Sequence, residues 1–265
     1  MKKFLSVLII ALALIFVYAP IILLLIYSFT ESKTIGVWSG FSINLYVNLF
    51  EREKLITMIT NTLVLAVLSA LIATIIGTIG ALGIFYNKKI LGKLTKHASQ
   101  IPIINAEIVT AISLALVFSF VSLGRTYLSL LIGHVVFCTP FVVLSIIPKL
   151  QQMDSSLYEA ALDLGATPMQ AFFKVILPEI LPGIFSGFML AITLSLDDYM
   201  ITAYTKPPTF ETISTYVYGA LKKPKNSYLP ELRALSSIIF IIMIIVVIIM
   251  NINASSKKQN ENKKI

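Results

Sequence analysis

Residues 154–178 read DSSLYEAALDLGATPMQAFFKVILP, a polar island between two long apolar runs. The segment carries the signals of two short helices joined by a turn. Ser156 is placed to cap the first, with Glu159 three residues on to close a capping box. Gly165 supplies a residue that takes the left-handed conformation at a helix C-terminus. Thr167 caps the second helix, Pro168 falls at its first position, where a missing N–H costs little, and Gln170 closes a second box. Pro178 is expected to end the unit. Both helices are amphipathic: Leu157, Ala160, Ala161 and Leu164 recur at helical spacing, as do Met169, Phe172, Phe173 and Ile176. Such a unit has one side for the membrane and another that a soluble protein can grip. An ordinary loop tied down by its own caps is the alternative.

The surroundings decide the fold class. Of the 265 residues, 57% are hydrophobic and only 13% charged, with a strongly positive mean hydropathy. A soluble domain does not carry so much apolar surface, so the bilayer is the solvent and the chain is an all-α polytopic membrane protein. There is room for about six spans of about 20 residues. They are expected near 4–29, 60–85, 102–121, 127–148, 179–204 and 233–252, with a basic polar tail at 253–265. The net charge of +8 is spread over loops and tails, which fits orientation in a membrane better than nucleic-acid binding. Cys138 is the single cysteine, so no intrachain disulfide forms.

Lys2 and Lys3 precede a first apolar run that is too long for a signal peptide, so it reads as a retained span with its N-terminus inside. Pro20 should kink it or end its first half. Residues 30–56 form a mixed, aromatic-rich outer loop with room for an interfacial helix. Lys88, Lys89, Lys93 and Lys96 mark an inner loop, where His97 is solvated; with the basic tail they place both termini in the cytoplasm. Lys222, Lys223 and Lys225 fall in an outer loop, against the rule. Ser69, Ala73, Gly77 and Ala81 form a stripe of small residues, as do Gly183, Gly187, Ala191 and Ser195. The spans that bear them are candidates for a close pair. His134, inside the fourth span, reads as a neutral imidazole bonded to a neighbour rather than as a proton relay.

Ionisable groups at membrane depth are functional candidates. Asp197 and Asp198 stand together in LSLDDYM, in the outer half of span five, and Glu107 lies near the inner end of span three. Adjacent helical residues point about 100° apart, so one aspartate at most faces straight into a central path. Acids pair with passing cations, and Tyr199 and Tyr204 can add cation–π contacts. The structural alternative has Asp197 capping or bonding a neighbouring helix and Glu107 at the headgroups.

The island bears a family resemblance. Glu159-Ala160-Ala161, Gly165, Val175 and Leu177-Pro178 stand at the spacing of the EAA signature of bacterial ATP-binding-cassette importer permeases, with Val175 where that pattern usually has Ile. In that family the element is a coupling helix that docks in a cleft of the cytoplasmic ATPase. Tyr18–Ile22, Ala111–Leu114, His134–Val143 and Leu194–Asp198 further resemble the second permease of spermidine/putrescine importers. The resemblance implies a type I importer permease fold in the bacterial inner membrane. It implies a sister permease, two ATPase subunits that bind ATP and Mg, and an extracytoplasmic polyamine-binding protein. This chain would itself hold no cofactor or metal and catalyse nothing. Related permeases carry iron, thiosulfate, phosphonates or molybdate. The implied mechanism is alternating access, with ATP binding closing the ATPase dimer and moving the coupling helices.

Other classes fit less well. A secondary transporter or channel would favour internal repeats or a filter loop, and neither is visible. A membrane enzyme would need clustered His, Asp or Glu, and the two histidines are far apart. No phosphate-binding loop appears. A passive anchor needs no acids within its spans.

Overall fold

The computed structural model describes residues 2–32, 36–86, 105–154, 156–221, 230–242 and 244–245. All regular structure among the described residues is helical. Helix α1 is Lys2–Tyr27, α2 Asn44–Glu51, α3 Glu53–Tyr86, α4 Glu107–Phe120 and α5 Tyr127–Gln152. Helix α6 is Ser156–Asp163, α7 Pro168–Ala171, α8 Leu177–Asp197, α9 Met200–Thr205 and α10 Ile213–Leu221. Residues 230–242 and 244–245 are also helical. Four helical stretches are long and apolar enough to cross a bilayer: Leu5–Tyr27, Glu53–Tyr86, Tyr127–Gln152 and Pro168–Asp197. Helix α4 is apolar but shorter. The chain is a multi-pass membrane protein.

The lysine-rich inner loop with His97, the outer-loop Lys222, Lys223 and Lys225, and the 253–265 tail lie outside the described residues. So do the start of the expected third span and the end of the sixth. Helix α1 runs through Pro20, so that proline does not end the helix. One expectation needs correcting: Pro178 lies inside a continuous helical stretch rather than at its end.

The described residues form two compact units, one within 1–57 and 217–265 and the other Met58–Tyr216. In the first, the segment after α1 is pinned by side chains. Phe29 stacks on Phe41 at 5.5 Å, the Ser28 and Tyr46 hydroxyls meet at 2.6 Å, and Leu45 and Leu49 of α2 are buried. Arg52 pairs with the buried Glu231 at 3.0 Å.

The second unit is organised around α5, the most enclosed of the long helices. Val142, Val143, Ile146 and Leu150 of α5 form the core with Ala70 and Ala73 of α3, Ile180 and Ala191 of α8, and Ile201 of α9. In lipid the drive for helices to associate is close packing rather than hydrophobic burial, so small residues set the contacts. Both small-residue stripes are used, but not chiefly against each other. A Cβ on Gly77 would meet Val142 Cγ1 at 2.7 Å, and one on Gly187 would meet the same atom at 3.1 Å. One on Gly183 would meet Lys149 Cγ at 2.9 Å. Each stripe therefore closes on α5. A direct link between α3 and α8 is the hydrogen bond between Ser69 and Ser195, 3.0 Å apart.

Candidate functional site

The polar island folds as its caps dictate, with one change at its start. Ser156 is the first helical residue rather than the cap, and its N–H is taken by Asp154 Oδ1 at 2.9 Å. That bond, with one from the serine hydroxyl, holds the Asp154 carboxyl below the usual carboxylate range. Helix α6 ends in a Schellman motif: Gly165 has φ +83°, its N–H reaches Leu162 O at 2.9 Å, and Ala166 N–H reaches Ala161 O at 3.0 Å. Thr167 and Gln170 form the reciprocal box, Thr167 N to Gln170 Oε1 at 2.9 Å and Gln170 N to Thr167 Oγ1 at 3.3 Å. A π-helical turn, Phe172–Ile176, then joins α7 to α8. A prolyl ring collides with the carbonyl four residues earlier; for Pro178 that is Lys174, which lies inside the widened turn. This is why the helix continues through Pro178.

The island buries Ala171 and Ile176 but leaves several large apolar side chains uncovered. Helix α6 buries none of its residues, Leu164 is 89% exposed, and Leu157, Met169 and Phe173 are exposed beside it. Of the motif residues, Glu159, Ala160, Gly165 and Pro178 are exposed, and Ala161, Val175 and Leu177 half-buried. Tyr158 reaches back to Tyr86 at the end of α3, with rings 6.4 Å apart.

The acids meet at a break in the expected fifth span. Helix α8 stops at Asp197, Asp198 takes an extended conformation with ψ 125°, and α9 restarts at Met200. The break exposes backbone amides, and Asp198 takes them: its Oδ1 accepts from Ile201 N at 3.1 Å and its Oδ2 from Thr202 N at 2.8 Å. The Thr202 hydroxyl donates to the same Oδ2 at 2.8 Å, and the Asp198 carbonyl accepts from Ser214 Oγ at 2.6 Å. Helix α9 seats tightly on α5, since a Cβ on Gly133 would lie 2.9 Å from Ile201 Cγ2. Its other end is held by Arg125, which donates to Ala203 O at 3.0 Å and Lys206 O at 3.1 Å.

Behind this half-helix lies His134, fully buried, about 10 Å along α5 from Tyr127. Its Nδ1 is 2.7 Å from Ser195 Oγ; its Nε2 is 2.9 Å from Thr202 Oγ1 and 3.4 Å from Asp198 Oδ2. The two aspartates part: Asp198 is buried and Asp197 exposed. Glu107, exposed at the start of α4, lies near Asp198 and Asp197, because α4 packs on α9. Tyr199 is half-buried between the helices. Thus Glu107, Asp197 and Asp198 gather at one break, with Tyr199 beside them. The sequence reading passed over Ser69, Ser195, Thr202 and Ser214 as partners of this site. The available signal was hydroxyl residues in line with a histidine inside apolar spans.

Residues 73–256 match the model of the family described as binding-protein-dependent transport system inner membrane component. The chain belongs to that family. Among curated relatives of this permease is the putrescine transport system permease protein PotI of Escherichia coli K12, 36% identical over 232 residues, 84% of this chain and 81% of that one. Another is the spermidine/putrescine transport system permease protein PotC of Haemophilus influenzae, 33% identical over 228 residues, 86% of this chain and 87% of that one. Among solved structures, a bacterial ABC transporter that imports the acidic polysaccharide alginate matches with TM-score 0.71 and 22% identity, covering 97% of this chain and 95% of that one. The MetNI methionine ABC transporter matches with TM-score 0.61 and 17% identity, covering 74% and 95%. The all-α fold is therefore that of type I ABC importer permeases, as the sequence led one to expect.

Proposed function

We propose that this permease is one membrane subunit of an ATP-driven importer for polyamines such as putrescine and spermidine. The observation that carries the reading is the gathering of Glu107, Asp197 and Asp198 at a break within the span. Carboxylates at membrane depth are costly and are held where they meet a partner charge; a polyammonium ion brings such charges along an extended chain. Tyr199 adds an aromatic face for cation–π contact. The relatives named for putrescine and spermidine transport support the same class of substrate.

The uncovered island 154–178 supports a docking role. Glu159, Ala160, Ala161, Gly165, Val175, Leu177 and Pro178 would carry the contact with, and the motion from, a cytoplasmic ATPase that binds ATP and Mg. In this reading two ATPase subunits, a sister permease forming the other half of the path and an extracytoplasmic binding protein complete the machine. This chain is then a non-catalytic subunit with both termini in the cytoplasm. The test is uptake of radiolabelled putrescine and spermidine into proteoliposomes holding the complete complex and its binding protein. Accumulation that needs both ATP and this chain is expected. ATP hydrolysis stimulated by the binding protein with no polyamine uptake would reject the substrate and keep the importer.

A further inference from the structure

The hydrogen bonds around His134 run in one direction. Asp198 Oδ2, as a carboxylate oxygen, accepts, so the Thr202 hydroxyl hydrogen is committed to it at 2.8 Å. Thr202 Oγ1 then has only lone pairs to offer His134 Nε2 at 2.9 Å, so Nε2 carries the ring proton. In the neutral ring Nδ1 is the acceptor, and Ser195 Oγ donates to it at 2.7 Å. Ser195 in turn accepts from Ser69 Oγ at 3.0 Å. The chain thus starts on α3, crosses α8 and α5, and ends on the carboxylate that organises α9. All of these side chains are buried. Complete burial disfavours the charged ring, and the neutral imidazole brings no positive charge to the acids.

We propose that His134 is a positioning residue for the cation path. Through Thr202 it fixes the Asp198 carboxylate and the half-helix α9, and so fixes how Asp197 and Glu107 are presented, without neutralising them. This rests on the reading of the acids as a cation path.

The test compares wild type, His134→Asn, His134→Gln and Thr202→Val in the complete importer, by putrescine uptake and by hydrogen exchange of the α9 amides. Glutamine carries an amide N–H as far as Nε2 does; asparagine reaches only as far as Nδ1. Thr202→Val, which deletes a hydrogen bond to the Asp198 carboxylate, should raise KM about tenfold, and His134→Asn, which deletes one between neutral groups, about fivefold, each leaving kcat within about twofold. His134→Gln should stay near wild type. Exchange at Ile201 and Thr202, whose amides Asp198 holds, should speed up in the first two variants and not in His134→Gln. KM unshifted in all three variants would overturn the inference, as would equal loss of assembly, kcat and KM. Absence of uptake by wild type would count against the polyamine reading alone. Hydrogen exchange then decides, because unchanged exchange in His134→Asn and Thr202→Val overturns the positioning role whatever the solute.

Discussion

Gly77 faces Val142 so closely that a Cβ on the glycine would lie 2.7 Å from the valine Cγ1, with the Thr139 carbonyl 3.3 Å away. Gly187 closes on the same Cγ1, with a Cβ there 3.1 Å away, so the valine has little room to retreat. Gly77→Ala should therefore force α3 from α5 and destabilise the permease by about 1–3 kcal/mol, the usual cost of overpacking. Thermal unfolding of the purified complex measures this. Adding Val142→Ala should recover little of the loss, because the Val142 Cβ that alanine keeps would itself lie 2.8 Å from the new methyl, and wild-type stability in Gly77→Ala would mean that the helices do not meet there.

Gly165 sits at φ +83° with open space where a Cβ would be. Any cost of substitution is thus backbone strain, about 1–2 kcal/mol for an L-residue. Gly165→Val should leave the protein in the membrane and bound to its partners but uncouple ATP hydrolysis from uptake, and Gly165→Asn should do so less. Uptake per ATP hydrolysed is the measurement. Wild-type coupling in a well-inserted Gly165→Val would show that the turn does not transmit the motion.

How much of this was legible in the sequence follows from the range of each interaction. The caps at Thr167 and Gly165 were readable because they are made by neighbours in the chain. At the start of α6 the sequence places the cap at Ser156, but Asp154 accepts the Ser156 N–H and the helix begins one residue sooner. The small-residue stripes showed that α3 and α8 can be approached closely, but not by which helix; Val142 of α5 fills both. The break at Asp198 was hidden because LSLDDYMITAYT contains neither Pro nor Gly. What stabilises the break is in part local, the Asp198 carboxylate on the Ile201 and Thr202 amides, and in part from elsewhere in the chain, through His134 and Ser214. The acids were visible singly; their convergence needed the packing of α4 and α9.

Asp154 is held below the usual carboxylate range by the Ser156 N–H, so its capping contribution is present at neutral pH, above its unfolded value. It should be lost as pH falls through the depressed folded value. Asp154→Ala should remove it at every pH, fraying the first turn of α6, while Asp154→Asn should keep most of it and lose the pH dependence. Hydrogen exchange at Ser156 and Leu157 between neutral and acid pH checks this. Identical exchange in wild type and Asp154→Ala at neutral pH would exclude the cap.

Asp197 and Asp198, adjacent in sequence, should fail in different ways. Asp197 is exposed at the end of α8, so Asp197→Asn removes a charge from the path and little else. Asp198 holds two amides and a hydroxyl. In Asp198→Asn the new amide nitrogen can take the place of only one of its oxygens, and at either place it turns a donor towards Ile201 N or Thr202 N, leaving at least one buried donor without its acceptor. That carries a cost of about 1–3 kcal/mol. Asp197→Asn should lower polyamine uptake with assembly intact, and Asp198→Asn should lower both. Parallel uptake assays and purification yields of the complex distinguish them. Full uptake by Asp197→Asn would remove that residue from the path and leave the polyammonium contact to Glu107 and Tyr199.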